Sequence, residues 1–191
     1  MDRLKSALAF GGILSGNDIE TLASHFRYRK VKAGAFVQEL HEVATEIVFV
    51  DRGILRIFAL DEDRNDITKY FVRENQFFAN LESYYNKLPA SEAIQAAVNS
   101  ELYTINFFTF EKFLQQMPNL FIFFKSISEA TLLNKIKDND FLNFGDAKTK
   151  YLELLKRYPI LLQQVPQRYI ASYLKITPQS LSRIRKELSH H

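Results

Sequence analysis

The sequence predicts an α+β protein: an antiparallel β-roll with flanking helices, then a long helix, then a C-terminal helix-turn-helix. Three observations carry that expectation. Short β-rich runs broken by turn residues fill the stretch from Arg29 to about Phe107, the texture of closely spaced antiparallel strands rather than a parallel sheet. After Pro118 a helical pattern continues for about six turns at 3.6 residues each. The segment Q-R-Y-I-A-S-Y-L-K-I-T-P-Q-S-L-S-R-I-R-K-E-L, from Gln167 to Leu188, reads as two short helices joined by a tight turn.

Residues 1 to about 29 read as helical. Ser15 followed by Asp18 resembles a capping box, and Ile19, Leu22, Ala23 and Phe26 repeat at helical spacing. K-A-G-A at 32–35 marks a turn. I-V-F-V at 47–50 and I-L-R-I-F at 54–58 flank D-R-G, where Gly53 is free to take a positive φ. The polar run D-E-D-R-N-D then predicts a hairpin into I-T-K-Y-F-V, and further strand segments are expected at 77–81, 92–98 and 101–107.

T-F-E-K-F-L-Q-Q-M at 109–117 is a short amphipathic helix ended by Pro118. In the long helix, Leu120, Phe124, Ile127 and Thr131 sit at 4,3,4 spacing, with Phe123, Ala130 and Leu133 widening the stripe. A face that wide needs cover on two sides. One side is the chain's own roll; the other is either more of the same core or a second copy in a parallel dimer. N-F-G-D at 143–146 reads as a hinge, with Gly145 as helix stop and Asp146 as the next cap. The expected divisions are 1–117 for the N-terminal helix and roll, 118–142 for the long helix and 143–191 for the helix-turn-helix domain.

Composition narrows the functions. The chain lacks cysteine, which excludes disulfides, thiolate zinc sites, Cys-ligated iron–sulfur clusters and a Cys nucleophile. Its imidazoles are His25, His41, His190 and His191, the last two reading as a tail, so no metal site is indicated. Phosphate-cradling glycine loops, H-E-x-x-H and G-x-S-x-G are missing, and no enzyme or cofactor is expected. The apolar runs are too short to span a membrane, and no signal peptide is apparent, so the protein reads as cytoplasmic.

Charge points to the C-terminal segment. Of 25 Lys and Arg and 22 Asp and Glu, five bases and one acid fall from Gln167 onward, a net of +4 that leaves the other 166 residues at −1. In that segment Ile170 and Leu174 share a face of the first helix, and Leu181, Ile184 and Leu188 form the apolar face of the second. Thr177 is a natural N-cap, and Pro178 suits the first helical position. The remaining face carries Gln179, Ser180, Arg183, Arg185 and Lys186: amide and guanidinium groups for base edges, then cations for phosphates. A solvated basic face explains the same pattern, so nucleic-acid binding and mere solubility both stand at this point.

Taken in order, the chain resembles the Crp/Fnr family of bacterial transcription regulators over nearly its whole length. The resemblance rests on A-K-T-K-Y-L-E-L-L-K-R-Y-P and I-A-S-Y-L-K-I-T-P-Q-S-L-S-R-I-R-K, which are similar to the Bacteroidetes version, together with Gly34, Gly53 and F-E-K-F-L-Q-Q-M-P. It implies a cyclic-nucleotide-binding-like roll, a dimerisation helix (Leu120, Phe124, Ile127, Thr131) and a recognition helix in the major groove. Thr177 would cap that helix, with Gln179, Ser180 and Arg183 facing bases and Arg168, Lys175, Arg185 and Lys186 touching phosphates. The implied partners are double-stranded DNA, a second copy, RNA polymerase and an unidentified small-molecule effector.

The chain departs from the family at two places. Cyclic-nucleotide members carry F-G-E-(L/I), then R-(S/T)-A about ten residues later. Here Phe78, Ala79, Asn80 and Leu81 stand at the first motif, and Ser91 and Glu92 replace the Arg-Ser pair. No Arg lies between Glu74 and Pro118, so a cyclic phosphate would meet no guanidinium there, and cyclic AMP is not expected to bind in the family manner. The missing cysteines argue likewise against an iron–sulfur sensor. At the turn of the helix-turn-helix the family often has Gly where this chain has Lys175, and no β-wing is expected after the recognition helix. The runner-up reading is a ligand-sensing or protein-interaction module that keeps the fold without productive DNA binding.

Overall fold

The structure, a computed structural model, describes residues 1–189; the expectation for His190 and His191 lies outside the described residues. Helices α1 (Asp2–Leu8) and α2 (Gly16–Ser24) lead into β1 (Arg27–Val31), β2 (Phe36–Gln38), β3 (Glu46–Arg52), β4 (Leu55–Leu60), β5 (Asp66–Val72) and β6 (Phe77–Phe78). Helix α3 (Leu81–Asn86), β7 (Ala93–Ala96) and β8 (Ser100–Asn106) complete the roll. Helices α4 (Phe107–Gln116), α5 (Pro118–Asn143), α6 (Ala147–Arg157), α7 (Pro159–Gln164), α8 (Gln167–Leu174) and α9 (Pro178–Ser189) follow.

The strands form two antiparallel four-stranded sheets, ordered β1-β8-β3-β6 and β2-β7-β4-β5. Val31, Val48, Val50, Leu55, Ile57, Val72, Ile94 and Leu102 fill the space between them. On the outside of the first sheet, Ile47, Phe49 and Ile105 meet Leu4, Leu22, Phe110 and Leu120 from the helices. Strand β3 is therefore covered on both faces, which is why I-V-F-V is a continuous apolar run instead of an alternating one. The expected hairpin is β4–β5, pairing Leu60 with Asp66 across the polar turn.

Several sequence-based boundaries need correction. The N-terminal helical region stops at Ser24, and β1 begins at Arg27. Of the 77–81 segment only Phe77 and Phe78 are strand; Asn80 then caps α3, its Oδ1 accepting from the Ser83 N–H at 3.2 Å. The L-L-Q-Q connector is part of the one-and-a-half-turn helix α7, started by Pro159. Ser15 caps α2 as expected, accepting from the Asp18 N–H at 3.1 Å.

Helix α5 spans 26 residues and shows two different apolar faces. Leu120 is fully buried against the roll, and Phe124 and Ile127 pack on the same core, with Thr131 half-buried alongside. The stripe assigned to dimer contact from sequence thus meets the chain's own roll. Solvent instead meets Phe121, Ile122, Leu132, Leu133 and Ile136, each more than half exposed. Ile122, Lys125, Glu129, Leu132 and Ile136 follow 3,4,3,4 spacing, and Lys125 and Glu129 pair at 3.7 Å in mid-stripe.

At the hinge, Gly145 has φ +102° and Asp146 caps α6 by accepting from the Thr149 N–H at 2.8 Å. Gly53 (φ +94°) is more constrained: an added Cβ would lie 2.7 Å from the Asn99 carbonyl oxygen and 2.8 Å from Ser100 Cα. Gly34 shares the positive φ (+84°) but opens onto empty space. Gly53→Ala is expected to destabilise by about 2 kcal/mol or more and Gly34→Ala by about 1 kcal/mol, compared by urea unfolding.

Candidate nucleic-acid interface

The C-terminal motif is built from one turn and one cap. Helix α8 ends on Lys175 in the left-handed conformation (φ 56°, ψ 44°). The Lys175 N–H donates to Ser172 O at 3.1 Å and the Ile176 N–H to Ala171 O at 3.0 Å, the paired bonds of a Schellman turn. A non-glycine residue there costs about 1–2 kcal/mol; the Lys175 ammonium is held at 2.8 Å by Asn143 Oδ1 at the end of α5. Thr177 Oγ1 accepts from the Ser180 N–H at 3.1 Å, closing the start of α9.

Burial then sorts the faces. Ile170, Leu174, Leu181 and Ile184 are buried with Leu154, Leu161 and Tyr173, and Leu188 packs against that core. Gln179, Arg183 and Lys186 are exposed, and their 4,3 spacing sets them in line along the opposite face. The other candidates fall differently. Ser180 is half-buried, and its Oγ accepts from the Thr177 hydroxyl at 2.9 Å. Arg185 is half-buried to one side of the line. Arg168, on α8, donates to the Tyr169 hydroxyl at 2.9 Å, a bond that raises its already high pKa, and its guanidinium carbon lies 4.7 Å from that ring's centroid.

The residues expected to line one effector pocket are divided. Phe78, Ala79 and Leu81 line a cavity of about 210 Å³ beneath Phe124, Ile127, Ser128 and Thr131 of α5. Glu92 lines a second cavity, about 370 Å³, with Lys69, Tyr70, Asp138 and Tyr173. Ser91 is exposed and lines neither, while the oxygen of Asn80 is engaged as the α3 cap. Sequence reasoning missed Lys135, which lines both cavities; its ammonium lies 4.9 Å from the Tyr70 ring centroid and 5.9 Å from that of Phe78. A scan confined to the roll could not find a cation delivered by α5.

A second missed residue joins the long helix to the C-terminal helices. Asp138 of α5 is buried, accepts from Tyr158 Oη at 2.8 Å and Tyr173 Oη at 3.4 Å, and faces Arg157 at 3.7 Å. Arg73 lies over the Tyr158 ring at 3.9 Å. Burial raises the Asp138 pKa, against the lowering pull of the Tyr158 hydrogen bond and the Arg73 and Arg157 charges. Burial and then the same carboxylate push the Tyr158 phenol up to about 12.

Neither a family model nor a curated protein matches this sequence. Solved structures do. CLP from Xanthomonas campestris, described as a c-di-GMP responsive global regulator, is 16% identical with a TM-score of 0.72, covering 92% of each chain. A Eubacterium rectale protein assigned to the Crp/Fnr transcriptional regulators is 12% identical with a TM-score of 0.73, over 96% of this chain and 88% of that one. The catabolite activator protein of Thermus thermophilus is 17% identical with a TM-score of 0.58, over 96% and 87%. The roll, long helix and C-terminal helices therefore have the fold of the Crp/Fnr regulators. Among the described residues, no helix is long and apolar enough to cross a membrane.

The raised Asp138 pKa has a definite sign in stability. The folded state holds the proton more tightly than the unfolded chain, so the stabilisation is complete below the ordinary aspartate pKa and is lost as pH rises through the raised one. Wild-type stability is expected to fall relative to Asp138→Asn across that window, as measured by paired urea titrations from pH 3 to pH 7. Parallel pH curves for the two chains would refute the assignment.

Proposed function

We propose that this chain is a homodimeric, sequence-specific DNA-binding transcription regulator of the Crp/Fnr type, with an altered effector pocket that does not take cyclic AMP in the family manner. The observation that carries the reading is α9 itself: a capped helix anchored by Leu181 and Ile184 that turns Gln179, Arg183 and Lys186 outward in one line. Arg183 suits the O6 and N7 of guanine, and Gln179 suits adenine, each such pair contributing roughly 1–3 kcal/mol of discrimination. Lys186, Arg185, Arg168 and Lys175 supply phosphate contacts that strengthen binding without choosing sequence. Ser180, held by Thr177, is left a minor role.

Dimerisation is supported by the outer face of α5, where five large apolar side chains stand in solvent, three of them (Ile122, Leu132 and Ile136) on a heptad-like stripe with Lys125 and Glu129. A second α5 packed in parallel would cover them and set two recognition helices on one side of the assembly, about 34 Å apart. The effector reading is supported by chemistry: the cavity between the roll and α5 offers Lys69 of β5 and Lys135 of α5 near Glu92 and Asp138, not an arginine fork for a cyclic phosphate. RNA polymerase is a further partner of this reading.

Selection from random duplex DNA is expected to enrich a palindrome. Arg183→Ala should relax the choice at one position of each half-site; Lys186→Ala should weaken all sequences alike and lower the salt slope by about one. A flat, weak, salt-limited response to every duplex would favour a sensing or interaction module instead.

A further inference from the structure

Arg56 is the unexplained residue of this fold. It is the second residue of the otherwise apolar strand β4 and is only 1% exposed. Its guanidinium donates to Asp66 Oδ2 and Gln95 Oε1, each at 2.9 Å, and to Thr68 Oγ1 at 3.4 Å. It also lies over two rings: Phe58 of its own strand, 4.3 Å from the centroid, and Tyr169 of α8, at 3.7 Å. Three residues on, on the same face of α8, Ser172 completes the contact. Its Oγ accepts from the Thr68 N–H at 2.8 Å and donates to the Asp66 carbonyl at 3.2 Å, occupying main-chain groups on the open edge of β5. Phe71 of β5 meets Tyr173 edge-on at 5.2 Å.

A buried guanidinium contributes little net stability compared with an apolar side chain of similar volume, and its acid partner Asp66 is 45% exposed. Here the balance is poorer still, because among the described residues the buried Nε–H has no acceptor. What a planar fork held between rings does supply is direction. The direction matters because the covalent link between α5 and α6 runs through Gly145, whose backbone tolerates many settings. Helices α8 and α9 share one apolar core and one tight turn, so a clamp on α8 aims α9 as well.

We infer that Arg56 is a positioning residue for DNA recognition. Through Tyr169 it fixes α8 against the edge of the roll, and so sets the spacing and twist between the two recognition helices of a dimer. This rests on the DNA-binding reading, but it assigns the choice of half-site spacing to the roll rather than to the recognition helix or the hinge.

The test uses the full chain and Arg56→Met, which keeps bulk and removes the fork, with Tyr169→Leu as the variant from the opposite side. Selected palindromes should retain their half-site bases, while preference for one spacing over neighbours one base pair away falls from roughly tenfold to about threefold or less. Arg56→Lys, which keeps the charge without the stack, should lie between. Amide exchange reads the clamp without DNA: at Thr68 it should quicken by about tenfold or more in Arg56→Met, with the core amide of Ile57 unchanged. Unchanged spacing preference, or tighter binding at the same spacing, overturns the inference. So does a Thr68 amide that stays protected. A wild-type chain that selects no palindrome defeats the DNA reading by a separate result, and the spacing role with it.

Discussion

The molecule depends on an apolar core assembled from three directions. Ile54, Phe71 and Ala97 come from the roll, Phe141 and Leu142 from the end of the long helix, and Leu154, Leu161, Ile170, Leu174 and Leu181 from the C-terminal helices. Burying these pieces together orders the last quarter of the chain. The consequence for α9 is geometric. Once Leu181 and Ile184 are committed inward, Gln179, Arg183 and Lys186 have only one direction left to face.

Around that core the polar groups divide by task. Asp138 with Tyr158 and Tyr173, and Arg56 with Asp66 and Gln95, are directional, with the Asp138 carboxylate and the Arg56 guanidinium themselves buried; they locate the C-terminal helices on the rest of the chain. Gln179, Arg183 and Lys186 are solvated and lie on a rigid helix, the setting in which side chains discriminate between bases and follow phosphates. Asp138 and Arg56 use low dielectric to fix position; Arg183 and Lys186 carry their charge on the solvent-facing side of α9.

What was legible in the sequence was what is local. The cap at Thr177, the left-handed Lys175 and the apolar spacing of α9 are encoded within a few residues, and so is the positive φ of Gly53. Short elements escaped: α3 and α7 are six residues each, too brief for a 3.6-residue period to declare itself. Long-range placement escaped as well. Periodicity marks α5 as having a broad apolar face but does not tell which side meets the roll: Leu120, Phe124 and Ile127, expected at a dimer seam, pack on the chain's own roll, with Thr131 alongside. Lys135, more than forty residues beyond Glu92 in the chain, reaches the cavities of the roll from α5. Arg56 did leave a signal: a lone charge inside the apolar run I-L-R-I-F has to be partnered where it is buried.

The central claim is that two copies of α9 are held rigidly with their polar faces on one side of a dimer. Because the chain has no cysteine, Ser182→Cys places a single spin label on the exposed face of each α9, and pulsed electron resonance reads the distance between copies. The account expects one narrow distribution centred on about 34 Å. The absence of any spin–spin coupling, or a broad distribution with no preferred separation, would contradict it.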